Sequence, residues 1–250
     1  MTGTEAALDP GEERPHPPGD DRAWTETWSF DCWIDEPAIG VIVELTWLPH
    51  HGVAWYAAGL VGRGRPYVLV ATEGVPMKRP TPSLELRHEG IWAQHVCERP
   101  HDNWTVGLEA HGVGLDDPEE AWRGAFGEIT PLGLDVEWEA AAPSELVAPA
   151  SYRQPCRVYG EVLVGHDAYR EVEGVGWRRH RWGPWGPVGW WGFWRRDRSA
   201  PLYGQPQIGP RPSVLADAPV ALTGPGGIEW RERRTLVETE DTVGWLAASD

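Results

Sequence analysis

No apolar run in this 250-residue chain approaches the ~20 residues a helix needs to cross a bilayer. The opening residues, MTGTEAALDPGEERPHPPGDD, have no basic n-region and no apolar h-region, so they do not read as a signal peptide. Together these absences predict a cytoplasmic protein without a transmembrane segment. Cysteine is scarce: Cys32, Cys97 and Cys156 are odd in number, far apart, and each sits in an apolar alternating run. That pattern predicts buried free thiols rather than a disulfide framework. There is no CxxC or HExxH spacing, so no metal site is predicted, and no cofactor. A Gly-rich phosphate loop and a nucleophile elbow are also missing, which sets aside kinase, dehydrogenase and hydrolase readings. No fixed-period repeat is present.

Helix-dominated architecture is excluded by composition, because 30 glycines and 24 prolines would interrupt it everywhere. Positive charge is also short. With 22 basic against 38 acidic residues the net charge is −16, which a nucleic-acid backbone would repel.

What the chain does have is a series of short strands between turn signals. They are read at 24–33, 40–47, 53–62, 66–72, 84–88, 91–98, 103–115 and 134–139, then at 155–165, 213–222, 228–238 and 242–247. DDPEEAWRG (116–124) reads as one short helix, with Asp117 as N-cap and Pro118 in the first turn. Residues 1–22, polar and rich in Pro and Gly, are expected to be a disordered leader. The small, Pro-containing segment 141–151 suggests a boundary between an N-terminal β half (23–145) and a C-terminal one (150–250). The predicted class is all-β and mainly antiparallel, two barrel-like halves packed together, which limits exposed strand edges.

The stretch GVGWRRHRWGPWGPVGWWGFWRR (174–196) is the densest in tryptophan and glycine. Glycine lets the backbone turn and lets other groups approach closely, while indoles supply large apolar faces with one donor each. The segment reads either as an aromatic core corner or as a pocket wall carrying Trp182, Trp185, Trp190 and Trp191 with His180 and Arg181. Arg178, Arg179, Arg181, Arg195, Arg196 and Arg198 crowd it, as an ion-paired surface or as a rim facing an anion. Upstream, Glu26, Trp28, Phe30 and Cys32 share one strand face, and Thr27, Ser29 and Asp31 the other. Glu26 thus falls on an apolar face and needs a partner or a proton.

These blocks resemble a known family. E-x-W-x-F-D (Glu26, Trp28, Phe30, Asp31) is similar to the first strand of the carotenoid 1,2-hydratase and AttH-like proteins, a double calycin or lipocalin-like group that includes natural-product cyclases. VGLEAHGVGLDDPEEAWRG, YRQPCRVYGEV and GVGWRRHRWGPW resemble blocks of its uncharacterised bacterial members, in which the last commonly reads G-x-G-x-R-D-H-S-W-G. The H-x-W-G core falls on His180, Trp182 and Gly183, but Arg179 and Arg181 replace the flanking Asp and Ser. The resemblance implies a calycin-like fold over residues 24–250 and a hydrophobic small-molecule ligand such as an isoprenoid, polyketide or lipid.

Alkene hydration would need a buried acid, Glu26 or Asp31, beside an aromatic wall of Trp28, Trp182, Trp185, Trp190 and Trp191. A cyclase or isomerase would need only a shaped cavity and a hydrogen bond from His180 or Arg181. Glu109 and His111, two apart on one strand face, read as a surface pair more than a proton relay. A non-catalytic carrier and, further off, an aromatic platform for sugars remain open, as does the oligomeric state.

Overall fold

The structure, a computed structural model, describes residues 8–186, 189–203 and 213–249. Seventeen strands account for about two thirds of it: β1 (Trp24–Ile34), β2 (Ile39–Leu48), β3 (Val53–Gly62), β4 (Tyr67–Pro76), β5 (Leu86–His88), β6 (Ile91–Arg99), β7 (Asn103–Leu115), β8 (Glu128–Ala140), β9 (Glu145–Ala148), β10 (Ser151–Val164), β11 (Asp167–Pro184), β12 (Trp190–Arg195), β13 (Pro201–Leu202), β14 (Ser213–Asp217), β15 (Val220–Thr223), β16 (Glu229–Glu238) and β17 (Thr242–Ser249). The expected short helix is a single 3-10 turn, Pro118–Trp122, whose Asp117 cap accepts from the Glu119 N–H at 3.0 Å. The class is all-β and every pairing is antiparallel.

The first sheet runs β4-β3-β2-β1-β11-β10-β8-β7 and closes where β7 pairs with β4, so eight strands form a ring. β6 and β5 extend from the other end of β7. An eight-stranded ring is just wide enough for side chains to fill. Here Trp28, Phe30, Trp104 and Trp138, all buried, do so in one continuous cluster. β9 pairs with β10 in the first sheet, and the remaining six strands form a second sheet, β13-β12-β17-β16-β14 with β15 beside β16. The break between sheets falls between Pro184 and Trp190, not near 145–150, because β10 and β11 pair inside the first ring. Strand membership depends on partners far away in sequence, which linker composition does not report.

Burial shows which wall the second sheet covers. All ten residues of β2 are buried, whereas β7 and β8 alternate buried with exposed. A strand covered on both faces reads as a continuous apolar run, and one with a wet face reads as an alternation. Trp245 donates to the Cys32 carbonyl at 3.1 Å and Tyr67 to the Pro219 carbonyl at 3.1 Å, tying the layers together. Gly224 permits close contact, since a Cβ there would lie 2.1 Å from the Trp55 ring. Among the described residues no helix is long and apolar enough to cross a membrane.

Over its described part, residues 8–22, the leader differs from expectation, residues 1–7 lying outside the described residues. Asp9 caps a 3-10 turn at Pro10–Glu13, and Glu13 is buried at 4% exposure. Its carboxylate takes both terminal nitrogens of Arg178 (2.5 and 3.0 Å), the Tyr152 hydroxyl (2.6 Å) and the Trp104 N–H (3.2 Å). Polar composition predicts disorder only when no buried partner waits, and here the ring supplies one.

Candidate functional site

Cross-strand register builds the site. On the outer face of the ring, Arg153, Arg179, Ser29 and Glu44 lie side by side across β10, β11, β1 and β2. The next row holds Ser151, Arg181, Thr27 and Thr46. The second sheet faces these rows with Trp190 and Trp191 from β12 and Trp230 and Glu232 from β16, and Trp185 comes from the connection. Between the layers is a cavity of about 740 Å³, lined by these residues other than Thr46, together with Glu145 and Tyr203. That volume suits a small organic molecule.

Two guanidiniums are held flat against indoles. Arg179 stacks on Trp190 at 3.8 Å and donates to Asp31 at 2.5 Å; Arg153 lies over Trp191 at 3.9 Å and pairs with Glu145 at 2.9 Å. Such contacts gain strength where water is excluded. Across the cavity, Glu44 and Glu232 share one cation: Arg234 Nη2 reaches Glu44 at 3.1 Å while its Nε holds Glu232. One guanidinium cannot compensate two carboxylates. Burial pushes the Glu44 carboxyl up to about 7, Arg234 opposes this and Glu232 adds to it. Glu44 is therefore a buried acid near neutrality on the cavity wall, the property a proton donor needs.

Of the residues singled out in the sequence, Arg181, Trp185, Trp190 and Trp191 line this cavity. Asp31, raised by burial with Arg179 opposing, stands behind it as the partner of Arg179. Glu26, Trp28, His180 and Trp182 lie on the other face of β1 and β11, away from it. There Glu26, fully buried, accepts from His180 Nε2 at 2.9 Å and from His16 Nδ1 at 2.7 Å. Trp182 stacks on His16 at 3.8 Å and Trp28 on His180 at 4.8 Å. Burial lowers the His180 pKa against the pull of Glu26, so this imidazole is neutral. For His16 burial also lowers it, but the Glu26 and Glu12 carboxylates outweigh that and raise it. The cluster fastens the leader to the ring. No metal motif is present in the sequence, yet the ligand atoms of His16, Glu26 and His180 come within 4.8 Å of one another, and among the described residues this is the group that could hold an ion.

Sequence reasoning missed Glu44, Arg153, Trp230 and Glu232. For Glu44 a signal exists: a carboxylate in the middle of the apolar run GVIVELTW. Which face it takes, and that Arg234 lies opposite, needs the register. Glu109 and His111 line a larger groove of about 1050 Å³ on the wet side of the ring, where the ionisable side chains are exposed or half-buried.

A crystal structure of a candidate AttH protein from Nitrosomonas europaea superposes with a TM-score of 0.55 at 10% identity, over 98% of this chain and 98% of that one. CghA bound to Sch210972 gives 0.44 at 10% identity over 91% of this chain and 88% of that chain. No curated protein matches the sequence. The model of a domain of unknown function, DUF7064, matches residues 9–196, which span the leader, the whole ring and the start of the second sheet. The chain therefore belongs to the DUF7064 family and carries it on an AttH-like, calycin-type all-β fold.

Proposed function

We propose that the protein binds a hydrophobic small molecule in the cavity between the two sheets and catalyses a cofactor-free, acid-promoted reaction on it. The observation that carries this reading is Glu44, a buried carboxyl held near neutrality, facing a wall of indoles across about 740 Å³. In a hydration, the Glu44 O–H gives its proton to one carbon of a C=C bond. The Trp faces stabilise the cation that forms, and water adds its oxygen to the other carbon and returns a proton to the carboxylate. Isomerisation or cyclisation follows if the carboxylate instead removes a proton from a neighbouring carbon, or if a second C=C bond attacks the cation first. Thr46, 3.4 Å from Glu44, and Arg234 keep the carboxyl oriented. Glu26 and His180 act in this reading on the leader rather than on the ligand.

A carrier without chemistry is the second reading, favoured by the lining charges Arg153, Glu145, Arg179 and Glu232, each of which already has an ion-pair partner. A sugar platform fits less well, because Trp190 and Trp191 each already carry a guanidinium on a ring face. Incubation of protein and its recovered ligand in deuterated water separates the first two. Catalysis puts solvent deuterium on a ligand carbon with the wild type and not with Glu44→Gln. A carrier returns the ligand unlabelled in both.

A further inference from the structure

Three arginines project from β10 and β11 onto one wall of the cavity. Arg153 and Arg179 are directly opposite in register, and Arg181 is two residues on along β11. Like charges so placed repel unless each is compensated. Arg179 has Asp31, and Arg153 has Glu145. No carboxylate is in ion-pair contact with Arg181 among the described residues: it donates to the carbonyls of Gly186 (3.3 Å) and Pro184 (3.1 Å), and Glu44 acts on it only through its field at longer range. Its guanidinium carries five N–H donors, and these bonds occupy one on each terminal nitrogen. The chain does not lack acids, having 38 of them. The cavity carboxylates, however, are committed elsewhere, Glu145 to Arg153 and both Glu44 and Glu232 to Arg234. The two carbonyls come from the turn that also delivers Trp185, so the same bend aims the cation and sets the aromatic wall.

We infer that the ligand of this cavity is an amphiphilic monoacid, whose carboxylate pairs with Arg181 while its apolar body lies against Trp185, Trp191 and Trp230. The inference rests on the cavity being the ligand site, as proposed above. One cation without a contact ion pair matches one negative charge, which favours a carboxylate over a doubly charged phosphate. Fixing the acid end at Arg181 also fixes which carbons of the body reach Glu44, so the headgroup sets the position of reaction.

The test uses cis-parinaric acid and its methyl ester, which share a body and differ in headgroup charge, followed by quenching of tryptophan emission in the full chain. A hydrogen-bonded charge in a sheltered site corresponds to roughly tenfold or more in affinity. The acid is therefore expected to bind at least about tenfold more tightly than the ester. Arg181→Gln brings the acid down to the ester, and Arg181→Lys keeps part of the preference. Trp191→Ala weakens both probes together. Equal binding of acid and ester by the wild type, or a preference that survives Arg181→Gln, overturns the headgroup assignment and leaves the cavity standing. Binding of neither probe overturns both.

Discussion

Arg234 of β16 crosses the interface between the sheets to meet Glu44 of β2, Nη2 to Oε2 at 3.1 Å, joining residues 190 apart in sequence. The same guanidinium also holds Glu232, so the second carboxylate is left with less than a full counter-charge. A stabilising contact between layers is thereby also the device that keeps a proton available in the cavity.

Glu44 gives a pH signature. Its pKa is raised from the ordinary 4.5 to about 7 in the folded protein. Protonated Glu44 therefore favours folding: its contribution is complete below pH 4.5 and is lost as pH rises through about 7. Glu44→Gln is neutral throughout. Thermal melts at pH 5 and pH 8 are expected to show the variant gaining on the wild type at the higher pH. A difference that does not change with pH contradicts a raised carboxyl.

Trp191 sandwiches Arg153 with Trp177, at 3.9 and 4.8 Å from the two rings. Trp191→Ala removes one face of that sandwich and is expected to cost about 1–2 kcal/mol by denaturant unfolding. Trp191→Phe recovers part of it. If Ala and Phe lose the same amount, the stacking contributes nothing.

The leader is fastened by two groups that titrate in opposite senses. For Glu13, burial raises the pKa but Arg178 and Tyr152 bring it below the ordinary 4.5, so its docking contribution is present above 4.5 and lost as pH falls further. For His16 the pKa is raised above 6.5, so its contribution is present below 6.5 and lost as pH rises through the shifted value. Hydrogen-exchange protection of residues 9–22, taken relative to the intrinsic amide rate at each pH, is expected to be greatest between about pH 4.5 and 6.5 and to fall on both sides. Arg178→Met leaves a buried carboxylate unpaired and costs about 3–5 kcal/mol, unless the leader lets go. Adding Glu13→Gln to it restores part of the loss. A flat protection profile would show that neither group holds the leader.

Gly192 of β12 faces the arginine wall with no room for a side chain. A Cβ there would lie 2.4 Å from Trp177 and 2.7 Å from the Arg179 guanidinium. Gly192→Ala therefore has to displace an indole or break the Asp31 pair. It is expected to destabilise by about 2 kcal/mol or more and to weaken probe binding together with stability. Unchanged melting would mean that the wall yields freely.

Apolar runs and apolar–polar alternations, set off by turn signals, carried most of the fold. VAWYAAGLVG and NWTVGLEAHGVGL are strands over their full lengths, and Asp117 caps its turn. The indole-rich stretch was legible only as a core corner or a cavity wall, because Gly and Pro there forbid a helix and leave rings to be placed. Its two faces were not separable. Trp182 and His180 turn to the leader side, and Arg181 turns to the cavity. A period of two sorts residues into faces but does not say what covers each face. Glu44 and Glu13 were hidden for a related reason, since the meaning of a buried carboxylate lies in a partner 190 or 165 residues away.

The most direct measurement is native mass spectrometry of the protein isolated from the cells that make it, alongside Trp191→Ala prepared the same way. The wild type should carry a non-covalent small organic acid that collisional activation releases, and the variant should carry less of it. The bare chain mass in both, with no adduct even under the gentlest conditions, would contradict a ligand site between the sheets.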